Sequence, residues 1–133
     1  MGERRILIVE DEKVVADTLG QILGAHGYDI RVVYSAEDAV TVISGWPPDL
    51  AILDVMLPTM NGIELAVVLK ETLPHCHVLL FSGQPSVGAL MQQAKNEGHE
   101  FDILAKPVHP TVMLNAISTL FCGEMPGGSF PQA

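Results

Sequence analysis

The sequence predicts an α/β fold, a doubly wound five-stranded parallel sheet with flanking helices, on three observations. Short apolar runs, partly β-branched, alternate five times with stretches of helical spacing. The run Asp49 to Asp54 is apolar nearly to its last residue, the mark of a strand covered on both faces. The 133 residues and 14.3 kDa fit one domain, and a 48% hydrophobic content with mean hydropathy +0.32 supplies its core. Strand-then-helix units in succession close into a parallel sheet through right-handed crossovers.

Arg4 to Val9 reads as the first strand, after which Val14, Val15, Thr18, Leu19, Ile22 and Leu23 recur at helical spacing. Gly27, just past that helix, suits the left-handed residue that ends it. Tyr28 to Tyr34 alternates and is β-branched, a second strand; Ser35, with Asp38 three residues on, caps the second helix. Gly45, Pro47 and Pro48 stop that helix, and Asp49 to Asp54 is the third strand. A loop through Pro58 and Asn61-Gly62 leads to a third helix over Ile63 to Leu73. No alternating strand follows Asn61-Gly62, so Gly62 relieves crowding at the helix start instead of turning a hairpin. His77 to Phe81 is the fourth strand, Ser86 to Glu97 the fourth helix and Phe101 to Ala105 the fifth strand. Pro110 to Phe121 is the fifth helix, with Pro110 at its first position. The domain is placed at residues 1–121, with 122–133 a flexible tail or linker remnant rich in Gly and Pro.

Seven Lys and Arg against sixteen Asp and Glu leave a formal charge of −9 and a pI near 4.7. Most of such a surface repels a phosphate backbone, so direct nucleic-acid binding is not expected. Cys76 and Cys122 lie in different elements without metal-ligand spacing, which predicts reduced thiols. The chain shows no secretory leader, no 18-residue apolar span and no myristoylation signal, so a cytoplasmic location without membrane insertion is expected.

Four of the five strands deliver polar groups to their carboxyl ends: Glu10-Asp11 after the first, Asp54 closing the third, Ser82 after the fourth and Lys106 after the fifth. Ligands of open α/β sheets bind at that edge, beside the point where the strand order reverses. Carboxylates crowded there disfavour one another's charge unless a cation joins them. Mg2+, with Mn2+ as a substitute, takes oxygen ligands of this kind. Asp54, ending a buried strand, is placed to attack phosphorus and form an acyl phosphate, provided that cations neutralise the equatorial oxygens. Mg2+ and the Lys106 ammonium are those cations, and the Ser82 hydroxyl donates to a further phosphoryl oxygen, which makes its position sensitive to phosphorylation. Singly, each residue has a plainer reading: an acidic first turn for Glu10 to Glu12, a cap for Asp54, a turn for Ser82 and a solvated charge for Lys106. Their common register carries the inference. His75 and His77 could share a strand face, but further ligands are missing and they stand at the strand's other end.

These residues belong to longer motifs: Ile6-Leu7-Ile8-Val9-Glu10-Asp11-Glu12, Leu53-Asp54-Val55-Met56-Leu57-Pro58-Thr59-Met60-Asn61-Gly62-Ile63-Glu64-Leu65, Ser82-Gly83 and Lys106-Pro107. In this order, from about Arg4 to Phe121, they resemble the receiver domain of two-component response regulators. The resemblance implies a flavodoxin-like sheet of strand order 2-1-3-4-5 and Asp54 as phosphoacceptor. It implies Glu10, Asp11, Asp54 and the Met56 backbone carbonyl as Mg2+ ligands, with Ser82 and Lys106 reading the phosphoryl group. It also implies a cis Lys106-Pro107 bond and tuning of water access at Met56 and Gln84. The implied partners are a sensor histidine kinase or histidine phosphotransfer protein upstream, and a protein target or output domain downstream. The surface near the fourth helix, fifth strand and fifth helix would change affinity, in a regulatory monomer or weak dimer that is not an enzyme. One position departs from the pattern: Ile103 stands three residues before the lysine, where the family often has Tyr or Phe, which weighs against an aromatic switch there. Phe101 lies on the same strand face, nearer its start.

Two rival readings are weaker. A Mg2+-dependent phosphatase that forms an aspartyl phosphate needs a second acid–base carboxylate and a cap, whereas Met56 stands two residues beyond Asp54 and the chain has no length for a cap. A binding module indifferent to phosphorylation leaves the Asp54 constellation idle. The glycine motifs of dinucleotide and P-loop sites are missing. Trp46 precedes Asp54 by eight residues, which at about 3.3 Å per residue puts its ring some 20 Å or more, roughly, from the phosphoryl site.

Overall fold

The computed structural model describes residues 4–58, 60–83, 92, 102–106 and 109–122. Strands β1 (Arg5–Val9), β2 (Asp29–Val33), β3 (Leu50–Asp54), β4 (His77–Ser82) and β5 (Asp102–Ala105) pair in parallel in the order β2-β1-β3-β4-β5. Helices α1 (Lys13–Ala25), α2 (Ala36–Gly45) and α3 (Gly62–Thr72), with a C-terminal helix (Pro110–Cys122), flank the sheet. The expected strand order therefore holds, as does the alternation of strands and helices up to β4.

Strand side chains point to opposite faces in turn, and the two faces meet different helices. Leu7, Val9, Ala51 and Leu53 pack with Ala39 and Ile43 of α2 and Leu65 and Leu69 of α3. Ile6, Ile8, Leu50 and Ile52 pack with Leu19 and Leu23 of α1 and Met113 and Ile117 of the C-terminal helix. All four residues from Ile6 to Val9 and from Leu50 to Leu53 are fully buried. At about 1.5–3 kcal/mol per buried aliphatic side chain, β1 and β3 form the centre of both cores.

The local signals act where the sequence places them. Gly27 has φ +94°, and the Ser35 hydroxyl accepts from the Asp38 N–H at 3.1 Å. At the start of the C-terminal helix, Pro110 takes the first position and the His109 ring nitrogen accepts from the Thr111 N–H at 3.1 Å. Several boundaries differ by a residue: β1, β2 and β3 begin one residue later than expected, β2 also ends one earlier, α3 is shifted one residue toward the amino terminus, Ser82 closes β4 instead of following it, and Cys122 still belongs to the last helix. The expected helix over Ser86 to Glu97 lies outside the described residues except at Gln92, as do Gln84, Phe101, the Lys106-Pro107 bond and the residues after Cys122.

Candidate functional site

The strand order reverses between β1 and β3, because the chain leaves β1 for β2 on one side and returns to β3 on the other. A crevice opens at the carboxyl ends of two such strands. The β1–β3 register pairs Val9 with Leu53, so Glu10 and Asp54, the next residues of each chain segment, come side by side. On the far side of β3, Asp54 pairs with Phe81 and Ser82 pairs with Ala105, and the Lys106 N–H donates to the Ser82 carbonyl at 2.9 Å. Residues 96 positions apart are thus neighbours.

Within the crevice the Lys106 ammonium donates to Glu10 Oε1 at 2.7 Å and lies 3.3 Å from Asp54 Oδ2. Glu10 is fully buried, Asp54 is 2% exposed and Ser82 5%. Buried carboxylates persist only with a cation or donors to hold them, and both are present. Glu10 Oε2 accepts from the Glu12 N–H at 2.9 Å, and Asp54 Oδ1 accepts from the Met56 N–H at 3.2 Å. Burial opposes the Lys106 charge, but Glu10 and Asp54 outweigh it and hold the ammonium's pKa above its ordinary value. Asp11 is exposed; partial desolvation first, and then the adjoining Glu10 carboxylate, hold its carboxyl above the ordinary range.

Glu10, Asp11 and Asp54 each offer an oxygen within 4.8 Å of the others, the one such group of metal-ligating side chains among the described residues. Mg2+ holds oxygens at about 2.0–2.1 Å, so two on opposite sides of it stand roughly 4.2 Å apart, close to the spread found here. An all-oxygen acidic set with one exposed member fits a hard divalent ion. Met56, whose N–H reaches Asp54, is 52% exposed. Ile103 is 38% exposed on β5. His77 meets the Phe121 ring edge-on at 5.8 Å and His75 is exposed.

The candidate residues at the carboxyl ends of β1, β3, β4 and β5 thus converge on one crevice. A family model for the response regulator receiver domain matches residues 6–118. The chain belongs to this family. The receiver domain is 30% identical over 123 residues to the response regulator protein FleR of Pseudomonas aeruginosa, covering 92% of this chain and 26% of that one. It is 33% identical over 107 residues to the DNA-binding response regulator MtrA of Mycobacterium leprae, covering 80% of this chain and 46% of that one. The receiver domain therefore spans between about a quarter and a half of these two relatives. Among solved structures it resembles a CheY-like receiver domain protein from Methanospirillum hungatei, with TM-score 0.84, 29% identity and coverage of 95% of this chain and 100% of that one. It also resembles the signal receiver domain of an HD domain-containing protein from Pseudomonas fluorescens, with TM-score 0.83, 27% identity and coverage of 90% and 94%.

Three contributors escaped the sequence reading. Glu12 brings a third carboxylate to 3.9 Å from the Lys106 ammonium, although it reads simply as part of an acidic run. The Phe81 ring lies under that ammonium, 4.8 Å from centroid to nitrogen, and no strand-interior pattern announces it. Asn61 and Glu64 form a reciprocal capping box at the start of α3. Its signal was legible as Asn-x-x-Glu before an apolar run.

Proposed function

We propose that Asp54 accepts a phosphoryl group from a phosphohistidine on a sensor kinase or phosphotransfer protein, and that the resulting acyl phosphate alters affinity for a protein target or output domain. The observation that carries this reading is a nearly buried carboxylate at a strand carboxyl end, flanked by an ammonium at 3.3 Å and two further carboxylates. An Asp54 carboxylate oxygen attacks phosphorus in line as the phosphohistidine N–P bond breaks, and the imidazole nitrogen leaves with that electron pair. Glu10, Asp11, Asp54 and the Met56 carbonyl are the residues to hold Mg2+, which supplies neutralisation of the phosphoryl oxygens. Lys106 neutralises a further oxygen and Ser82 donates a hydrogen bond to another, so both side chains take new positions when the phosphoryl group is present.

On this reading the unit is residues 1–121, the remaining residues being tail or linker, and it works in the cytoplasm as a monomer or weak dimer. The DNA binding named for the MtrA relative is that protein's; the excess of acidic residues here supports a segment that leaves nucleic acid to other domains. The receiver-domain family is regulatory, and the chemistry proposed is self-phosphorylation and autodephosphorylation only, without turnover of a phosphate ester.

Intact-mass analysis after incubation with acetyl phosphate and Mg2+ tests this. A labile single phosphoryl adduct is expected on the unaltered chain and none on Asp54→Asn. An adduct that survives in Asp54→Asn removes the assignment, and steady hydrolysis of phosphate esters turns the reading toward the phosphatase.

A further inference from the structure

The geometry points to Glu12 as a positioning residue for Lys106, the seat to which the ammonium withdraws when a divalent cation takes the carboxylates it now occupies. This inference rests on the phosphoacceptor reading above. Lys106 Nζ sits on Glu10 Oε1 at 2.7 Å and near Asp54 Oδ2 at 3.3 Å, so the ammonium and a divalent ion are alternatives at the same two buried side chains. Like charges within about 4–6 Å disfavour each other, and Lys106 must give way as the cluster is loaded.

Three observations direct that movement to Glu12. Its Oε1 already stands 3.9 Å from Nζ, and the side chain is 69% exposed, with room to close the gap. Glu12 occupies the N-cap of α1, yet its side chain makes no capping hydrogen bond. Its backbone N–H is tied to Glu10 Oε2 at 2.9 Å, which keeps the residue beside the cluster wherever the lysine points. Glu12 and Lys106 also line one cavity of about 460 Å³, walled by Val14, Leu19, Phe81 and Pro110. The ammonium can therefore swing outward while its hydrocarbon stem stays against apolar surface. A displaced lysine held at Glu12 remains within a short swing of the phosphoryl site.

A double-mutant cycle on metal affinity isolates this role from the general attraction of Glu12 for any cation. Mn2+ alone is titrated into the full chain, with free Mn2+ followed by electron paramagnetic resonance, for the unaltered protein, Glu12→Gln, Lys106→Met and the double variant. Lys106→Met is expected to bind Mn2+ more tightly than the unaltered chain. Glu12→Gln is expected to raise the Mn2+ Kd by a factor about two to five times larger with Lys106 present than with Met there, the worth of one exposed ion pair. Lys106→Ala serves as the background if the Met variant does not fold. Equal factors in the two backgrounds, or a larger one without the lysine, overturn the role of Glu12 and leave the phosphoacceptor reading standing. Failure of the unaltered chain to bind Mn2+ overturns both.

Discussion

Asp11 is the carboxylate of the crevice trio that Lys106 offsets least, its attraction being the smallest influence on that carboxyl. Lys106 lies on Glu10 and Asp54, while partial desolvation and the Glu10 carboxylate hold the Asp11 carboxyl above its ordinary range. A raised carboxyl favours the protonated folded protein, so ionised Asp11 costs stability above the raised value, and that cost is relieved as pH falls through it. At neutral pH in EDTA, Asp11→Asn is therefore expected to raise Tm by about 1–3 °C, the scale of an exposed charge interaction. On the proposed Mg2+ reading the unaltered chain is expected to gain Tm with Mg2+, and the same substitution is expected to abolish that gain. Thermal melts with EDTA and with Mg2+ check both, and a lower Tm in EDTA contradicts the charge account. Glu10, Asp11, Asp54, Ser82 and Lys106 were all legible as candidates, because a residue ending a buried strand has only the sheet edge to occupy. Glu12 and Phe81 were not, since their part depends on where the Lys106 side chain bends.

At the scale of elements, the turn from β3 into α3 ties the fold to the crevice. A Cβ added at Gly62 would stand 2.8 Å from the Asp54 carbonyl carbon and 2.9 Å from the Val55 Cα, both backbone atoms that cannot swing aside. The Gly62 N–H also donates to the Val55 carbonyl at 2.8 Å, which draws the helix start against the strand end. Gly62→Ala is expected to destabilise the fold by about 1–3 kcal/mol in urea titration, and to slow phosphorylation by acetyl phosphate because it pushes on the backbone that aims Asp54. Asn61→Ala removes one half of the capping box and should cost about 1 kcal/mol with a smaller effect on phosphorylation. Equal phosphorylation rates in the two variants would mean that the close contact does not reach Asp54.

Across the whole molecule, the sheet separates its two ends. Arg5 opens β1 and Glu10 follows its last residue, so groups around Arg5 lie a strand length from the crevice. Trp46 is one of them: 8% exposed, with the Arg5 and Arg31 guanidinium carbons 5.5 and 5.1 Å from its ring. Its emission is expected to change little when beryllium fluoride and Mg2+ are added. A large shift in intensity or wavelength would show that the amino-terminal edge of the sheet moves with the site. The C-terminal helix reaches that same edge, where Arg4 lies 4.5 Å from the Phe121 ring centroid and Tyr28 packs beside it.

Element order, the identity of the buried strands and the set of polar residues at their carboxyl ends followed from the sequence alone. They rest on local rules: apolar runs that must be buried, glycine, proline and capping residues that punctuate them, and crossovers of one hand. Which carboxylate the lysine prefers, and that Glu12 and an aromatic ring share it, depended on the folded chain. Such preferences are settled by ångström differences between side chains that meet across almost a hundred residues of sequence, and no local periodicity encodes a distance of that kind.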